Sequence, residues 1–319
     1  MAKKSLTVGK YRALQRCSTA ESSFAILALD HQDALRQNMR PEDPASLTTK
    51  EIIAFKMQVV ETLVPEVSGV LLDPVYGAHQ AIARGILNKS GLLVELEKAD
   101  YQMNPLPLEV EIDPNWSVSK IKRMGADGVK LFFYYNPDNF DHAEYQDAIV
   151  RQVVADCERH DIPFYAEPIF YPIEEDDSKK AAVVEAARRL SHAGVDVLKL
   201  EFPVDVQKEQ DEGLWAEACA EITENVVVPW VLLSAGVSFE MFARQLEIAC
   251  KAGAAGFIVG RAVWGDVATI TNSNERLEWL NTEGRRRLQL LSSIVRQHGH
   301  RWPDLHDAPA VSVEWFRQY

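Results

Sequence analysis

Two lysines of this sequence stand inside short apolar runs, where a charged side chain is costly to bury. Lys130 lies within Gly128–Phe133 and Lys199 lies within Val195–Leu200. An unpaired buried ammonium group costs several kcal/mol, so each lysine must be neutral, paired or used in chemistry. Glu167 ends another apolar run between them. Two lysines of this kind together with a glutamate indicate an active site.

The chemistry that suits these three residues is imine formation. A lysine amine attacks a carbonyl carbon only in its neutral form, and burial beside a second cation favours that form. We therefore expect Lys199 to be the nucleophile, Lys130 its cationic neighbour and Glu167 the group that moves protons. The alternative is structural, with Lys199 paired to Glu201 and Lys130 paired to Asp73.

Two aspartates also follow apolar runs. Asp30 and Asp73 could orient the hydroxyl groups of a substrate or hold Lys130. Capping of the strand end is the alternative for both, and local sequence favours it for Asp73, which precedes Pro74.

A phosphate site is indicated independently by two turns. Ser234, Ala235 and Gly236 follow the seventh apolar run, and Gly260 and Arg261 follow the eighth. The turns after the last two strands of an α/β barrel often bind phosphate through backbone N–H groups, and an arginine adds a bidentate donor. We expect these residues to bind a phosphorylated substrate.

Neither a metal nor a cofactor is expected. The eight histidines are scattered, and only His298 and His300 are close together, on a polar tail. A metal-dependent aldolase needs several histidines at strand ends, where only His31 and His79 are candidates. No glycine-rich dinucleotide motif follows the first apolar run, which continues into Asp30 and His31.

The elements that must position these residues form a repeating pattern. Short, continuous apolar runs are typical of parallel strands that are covered on both faces. Amphipathic segments separate most of them, such as Lys50–Leu63, Trp116–Met124, Asp147–His160, Lys179–Ala193 and Phe239–Ala252. The eight runs are Phe24–Leu29, Gly69–Leu72, Gly91–Leu96, Gly128–Phe133, Pro163–Ala166, Val195–Leu200, Trp230–Leu233 and Gly256–Val259.

Eight strands in β/α alternation predict a (β/α)8 TIM barrel rather than an open sheet. Small-residue turns with a glycine, Met124–Asp127, His192–Val195 and Ala252–Ala255, should close helices before the next strand. We expect one domain over residues 1–319, with an N-terminal helix in residues 1–22 that closes the barrel bottom. Residues 275–319 should add a C-terminal helix and an aromatic tail.

Composition limits the partners of the protein. The chain has 319 residues and a net charge of −13, without basic runs, which argues against nucleic acid as the main partner. No segment approaches the roughly 18 consecutive apolar residues of a membrane span. Four separated cysteines suit a reducing compartment, so a cytoplasmic location is expected. The aromatic tail leaves a homo-oligomer possible.

With these residues in place, the sequence resembles the class I tagatose 1,6-bisphosphate aldolase family. The resemblance runs from about Phe24 to the C-terminal helix. It is carried by Leu71–Gly77, Gly91–Lys98, Val129–Tyr135, Ile162–Phe164, Asp196–Val204, Leu233–Ser238 and Gly260–Trp264. The related sulfofructose-phosphate aldolases look similar too, including the Glu167–Pro168 pair.

The resemblance implies a metal-free, reversible cleavage of a ketose bisphosphate into dihydroxyacetone phosphate and glyceraldehyde 3-phosphate. It implies Lys199 as the Schiff-base lysine and Glu167 as acid and base. Lys130 and Asp30 would be supporting polar groups.

One segment departs from the family pattern. After the first strand the family looks like Asp-Gln-Arg, whereas this chain has Asp30, His31 and Gln32. If that arginine binds the distal anionic group, Arg36, Arg84 or His31 could take its place, and we expect His31 and Gln32 to contact substrate. The alternatives left open are a sulfofructose-phosphate-type aldolase, a non-catalytic sugar-phosphate-binding barrel, and an isomerase that uses Lys199 as a base.

Overall fold

A computed structural model describes residues 3–98, 109–173, 178–317 and 319, and its centre is a closed barrel of eight parallel strands. Each strand pairs with the next, and the last pairs with the first. The expected (β/α)8 barrel is therefore confirmed. The strands are β1 (Phe24–Leu29), β2 (Gly69–Leu72), β3 (Gly91–Glu95), β4 (Gly128–Tyr134), β5 (Phe164–Ile169), β6 (Val197–Leu200), β7 (Trp230–Leu232) and β8 (Gly256–Val259).

Helices cover the outside of the barrel and both termini. They are α1 (Val8–Arg16), α2 (Asp33–Met39), α3 (Thr49–Leu63), α4 (Ala78–Ala83), α5 (Val118–Arg123), α6 (Phe140–Arg159), α7 (Lys179–His192), α8 (Glu212–Asn225), α9 (Phe239–Lys251), α10 (Arg261–Trp264), α11 (Ser273–Trp279) and α12 (Arg285–His298). One wider helical turn, Leu280–Gly284, joins the last two helices. The expected C-terminal helix is thus two helices joined through this turn.

Strand alternation decides which side chains reach the barrel interior. Val129, Leu131 and Phe133 of β4 belong to the core beneath the helices, so Lys130 between them points inward. The same alternation places Lys199 of β6 on the inner face, because Leu198 and Leu200 belong to that outer core. The interior below them is apolar and includes Ile26, Leu71, Tyr165, Val231 and Ile258.

The glycine turns predicted from the sequence have the expected conformation. Gly125, Gly194 and Gly253 adopt φ values of 93°, 103° and 125°, which favour glycine at the end of a helix. One helix start was predicted wrongly, because α6 begins at Phe140 instead of Asp147. The Asn139 side chain caps this helix, and Phe140 is 73% exposed, so its first turn lacks the apolar periodicity that marks the rest.

The two ends of the chain meet at the bottom of the barrel. Helix α1 is shorter than the expected segment 1–22, and Lys4–Ser5 before it forms a short parallel strand with His306–Asp307. Trp302 of the tail is buried and packs against Tyr11, with their ring centroids 4.9 Å apart. The described helices include none long and apolar enough to cross a membrane.

Candidate functional site

A cavity of about 420 Å³ opens at the carboxyl ends of the strands. Side chains of β1, β4, β5 and β6 and the turns after β7 and β8 form its wall. The polar residues among them are Asp30, His31, Lys130, Tyr134, Glu167, Lys199, Glu201, Ser234 and Arg261, with backbone from Ala235 and Gly260. The structure therefore brings most of the residues singled out in the sequence to one place.

Lys199, Glu167 and Lys130 form a row of alternating charge in this cavity. Lys199 Nζ lies 2.7 Å from Glu167 Oε1, and Lys130 Nζ lies 3.1 Å from Glu167 Oε2. Both lysine side chains are at most 5% exposed. The pairings considered as structural alternatives are not the ones observed. Glu201 pairs with Lys179 at 2.6 Å, and Asp73 pairs with Lys56.

Asp30 completes the polar wall beside Lys130. Its Oδ2 lies 2.8 Å from Lys130 Nζ. Burial raises the pKa of Asp30, but the ammonium groups of Lys130 and Lys199 outweigh burial and hold this pKa below its usual range. Asp30 is therefore a carboxylate at neutral pH. Its Oδ1 is buried and makes no hydrogen bond within the described part of the chain, which leaves an acceptor beside the cavity.

His31 is a neutral member of the site. Burial, together with nearby Arg261 and Lys199, lowers its pKa to about 3, although Asp30 opposes them. The imidazole packs edge-on against Trp264, with ring centroids 5.2 Å apart. His31 therefore offers the cavity a hydrogen bond but no positive charge.

The turns after β7 and β8 meet at the other side of the cavity. Ala235 and Gly236 have φ values of 47° and 79°, so the first turn is sharp. Only glycine avoids strain at 79°, and the Arg261 guanidinium lies against Gly236. No carboxylate among the described residues lies within salt-bridge distance of Arg261, which leaves its charge available to an anion.

Three residues expected to contact substrate, Asp73, Gln32 and Gly236, are not part of the cavity wall. Asp73 accepts the backbone N–H groups of Val75 and Tyr76, which is the capping role that the sequence also allowed. Gln32 donates its side-chain N–H to Glu95 Oε1 at 2.7 Å. Gly236 directly follows Ala235 of the wall, whereas local turn and side-chain contacts engage Asp73 and Gln32.

Sequence reasoning missed a group of acids directly behind the cavity. Asp30, Glu95 and Glu97 place one carboxylate oxygen each within 4.8 Å of one another, as the ligands of a metal ion would be. Lys130 Nζ already lies among them, 2.8 Å from Asp30 and 2.5 Å from Glu97. Burial and the charge of Glu97 raise the pKa of Glu95 well above its usual value. The Lys130 ammonium group offsets part of the negative charge of this group, and a metal ion would have to displace Lys130.

The only sequence signal for this group is the Glu95–Leu96–Glu97 pattern at the end of β3. Two acids at a strand end do not reveal that their partner is a lysine on the next strand. That contact depends on the register between β3 and β4, in which Glu95 pairs with Lys130.

Comparisons with known proteins place the chain among aldolases. Residues 24–266 match the family model described as DeoC/LacD family aldolase. The tagatose 1,6-diphosphate aldolase 2 of Enterococcus faecalis is 31% identical and covers 93% of this chain and 96% of its own length. The tagatose 1,6-diphosphate aldolase of Listeria monocytogenes serotype 4a is 32% identical, over 93% of this chain and 94% of its own length.

Solved structures share the fold at low sequence identity. An archaeal fructose 1,6-bisphosphate aldolase matches with a TM-score of 0.61 and 18% identity, over 90% of this chain and 99% of its own. The fructose-bisphosphate aldolase of Plasmodium falciparum matches with a TM-score of 0.70 and 14% identity, over 94% of this chain and 98% of its own. At these identities the likeness shows the barrel alone.

The low pKa of His31 can be tested by NMR of protein labelled in the histidine rings. We expect the His31 Cε1–H resonance to keep its position from pH 8 down to pH 5, because the imidazole stays neutral throughout. His31→Gln identifies the resonance by its loss, and the resonance of exposed His300 in the same spectra serves as the comparison. A midpoint for His31 near the ordinary value of about 6.5 would contradict this environment.

Proposed function

The chain belongs to the DeoC/LacD family of aldolases, and we propose that it cleaves a phosphorylated ketose through an imine on Lys199. The observation that carries this proposal is the contact of 2.7 Å between Lys199 Nζ and Glu167 Oε1 in a cavity at the carboxyl end of the barrel. A nucleophile within hydrogen-bond distance of its proton acceptor is what imine formation requires. An ion pair of purely structural use would not need to face an open cavity.

In this mechanism the Lys199 amine, after giving its proton to Glu167, attacks the C2 carbonyl of the ketose. A C–N bond forms and the carbonyl oxygen takes up a proton, which gives a carbinolamine. Glu167 then protonates the hydroxyl group, which leaves as water and produces the iminium ion. One carboxylate serves both transfers because Lys199 and the departing hydroxyl group occupy the same side of the cavity.

The iminium ion accepts electrons when the C3–C4 bond breaks. Glu167, a carboxylate again once water has left, takes the proton of the C4 hydroxyl; the C4–O bond becomes a carbonyl, and the electron pair of the C3–C4 bond forms an enamine. The aldehyde leaves, Glu167 returns the proton to C3 of the enamine, and water then releases dihydroxyacetone phosphate from Lys199. Asp30 Oδ1, buried beside the cavity and without a hydrogen bond in the described residues, is positioned to accept from a substrate hydroxyl.

Lys130 supports these steps as a fixed cation. Its ammonium group contacts Glu167 Oε2 at 3.1 Å and Asp30 Oδ2 at 2.8 Å. A positive charge beside the iminium-forming lysine favours the neutral amine that begins the reaction. The same charge keeps Asp30 ionised, so that the carboxylate can accept a hydrogen bond.

The phosphate group of dihydroxyacetone phosphate would lie at the turns after β7 and β8. Ser234, Ala235, Gly236 and Gly260 supply hydroxyl and backbone donors there, and Arg261 supplies the charge. The support is geometric: a sharp turn, an adjacent guanidinium group and no competing carboxylate among the described residues. Arginine binds phosphate in a bidentate manner that suits such a corner.

We propose tagatose 1,6-bisphosphate, or a close relative of it, as the ketose, and glyceraldehyde 3-phosphate as the aldehyde. The support is that curated relatives at 31% and 32% identity carry the name tagatose 1,6-diphosphate aldolase and match over most of the chain. His31 lines the cavity where the family resemblance has a different residue, so contacts to the distal end of the ketose are where this chain would differ.

Two broader proposals concern the cellular location and the oligomeric state of the enzyme. The four cysteines are buried free thiols, which suits the reducing cytoplasm. Exposed Trp315 and Phe316 in the tail offer an apolar surface, which suits a homo-oligomer.

The imine mechanism predicts that Lys199→Met abolishes cleavage. The substitution keeps the length of the side chain but removes the amine, so no C–N bond can form. We expect kcat with tagatose 1,6-bisphosphate to fall below detection while circular dichroism and the melting temperature show a folded protein. The matched control is Lys179→Met. Lys179 pairs with Glu201 but is not itself part of the cavity wall. Cleavage by Lys199→Met at a near wild-type rate would disprove the assignment.

The phosphate assignment predicts an unequal effect of Arg261→Ala on two substrates. Loss of a charged hydrogen-bond donor costs about 1.5–3 kcal/mol, so KM for dihydroxyacetone phosphate should rise about 10- to 100-fold in the condensation direction. KM for unphosphorylated dihydroxyacetone should stay near the wild-type value. Equal increases for both compounds would remove the phosphate role of Arg261.

A further inference from the structure

Glu97 lies one layer behind the cavity, yet it contacts the lysine that faces the cavity. The residue follows β3 and is 4% exposed, and the cavity wall does not include it. Its Oε1 lies 2.5 Å from Lys130 Nζ. Lys130 in turn contacts Glu167, the residue to which the proposed mechanism gives the proton transfers. Glu97 is therefore placed to influence the reaction through Lys130.

The distances show how the Lys130 ammonium group is shared among three carboxylates. It lies 2.5 Å from Glu97, 2.8 Å from Asp30 and 3.1 Å from Glu167. The contact with Glu167 is thus the longest of the three, while the other oxygen of Glu167 contacts Lys199 at the shorter distance of 2.7 Å. Glu97 and Asp30 thus hold the ammonium group closer to themselves than to Glu167.

We propose that Glu97 is a positioning residue whose carboxylate holds the Lys130 ammonium away from Glu167, so that Glu167 remains available to exchange protons with Lys199. The inference rests on the proposed imine mechanism and adds a residue to it. The physical reason is competition: a carboxylate that pairs more closely with one ammonium group becomes a weaker proton acceptor for its other partners. Without the charge of Glu97, the closest carboxylate contact of Lys130 would be lost, and Asp30 and Glu167 would both compete more strongly for its ammonium group.

Charge and shape at this position can be separated by two substitutions. Glu97→Gln keeps the shape of the side chain and removes its charge, whereas Glu97→Asp keeps the charge and shortens the side chain. If the charge positions Lys130, Glu97→Asp should retain more activity than Glu97→Gln. If Glu97 serves only to fill space, the order should be reversed, because glutamine is the closer match in volume.

The measurement is steady-state cleavage of tagatose 1,6-bisphosphate, together with KM for dihydroxyacetone phosphate in condensation. We expect Glu97→Gln to lower kcat by about 10- to 100-fold, the range of a lost hydrogen bond between charged groups. KM for dihydroxyacetone phosphate should change by less than about twofold, because Glu97 lies behind the cavity wall and does not reach the phosphate turns. A large rise in KM with unchanged kcat would overturn the proposal.

Glu95→Gln is the matched control two residues away. Burial and the charge of Glu97 raise the pKa of Glu95 and so favour its uncharged form. Glutamine keeps an oxygen for the hydrogen bond from Gln32. We expect kcat within about twofold of wild type, since glutamine closely matches the uncharged acid. Equal losses in Glu95→Gln and Glu97→Gln would show a general packing effect and overturn the proposal.

Two further results distinguish a failure of the proposed function from a failure of the role proposed for Glu97. If wild-type protein forms no borohydride-trapped adduct with dihydroxyacetone phosphate, the proposed function itself fails. If the adduct forms and Glu97→Gln turns over like wild type, only the role of Glu97 fails. If melting curves show that Glu97→Gln is unfolded, the activity of Glu97→Asp alone tests the role of Glu97. It should then lower kcat with KM unchanged, and wild-type kcat in Glu97→Asp would overturn the proposal.

Discussion

The site depends on one constraint: charges buried at the end of the barrel must neutralise one another. Lys199, Glu167, Lys130 and Glu97 alternate in sign along a continuous row of contacts, each 3.1 Å or shorter. An isolated ion at this depth would cost several kcal/mol, whereas a row of alternating sign satisfies each member at both ends. The proposed chemistry requires the row because it moves a proton between two of its members.

The barrel makes this row possible because its inner face turns polar only at one end. The interior below is apolar and closed at the bottom by helix α1 and the buried Trp302. Strand alternation then points one polar side chain from each of β4, β5 and β6 into the interior, where Glu167 contacts both lysines. Asp30, after β1, also contacts Lys130, and the turns after β7 and β8 add Arg261. The proposed chemistry uses the row of charges on one side of the cavity and the Arg261 turns on the other.

Much of this arrangement could be predicted from the sequence, since the signals were local. A lysine within an apolar strand is conspicuous in the sequence, and the alternation of side chains along the strand predicts that it points inward. Lys130, Glu167 and Lys199 were therefore predicted correctly as neighbours. For Asp73 the sequence favoured capping without excluding substrate contact, and it did not indicate any role for Glu97. Whether Asp73 caps its own turn or faces the cavity depends on two backbone N–H groups, and the partner of Glu97 depends on the register between β3 and β4. Such contacts arise from the tertiary structure and leave no periodic pattern in the sequence.

The central claim is a covalent imine on Lys199, and reduction tests it most directly. The protein would be incubated with dihydroxyacetone phosphate, reduced with borohydride and digested, and the modified peptide located by mass spectrometry. The account predicts one stable adduct, on Lys199, that is missing when the ketone is omitted. An adduct on Lys130 in its place, or none in folded protein, would contradict the imine mechanism and leave only the barrel in common with Schiff-base aldolases.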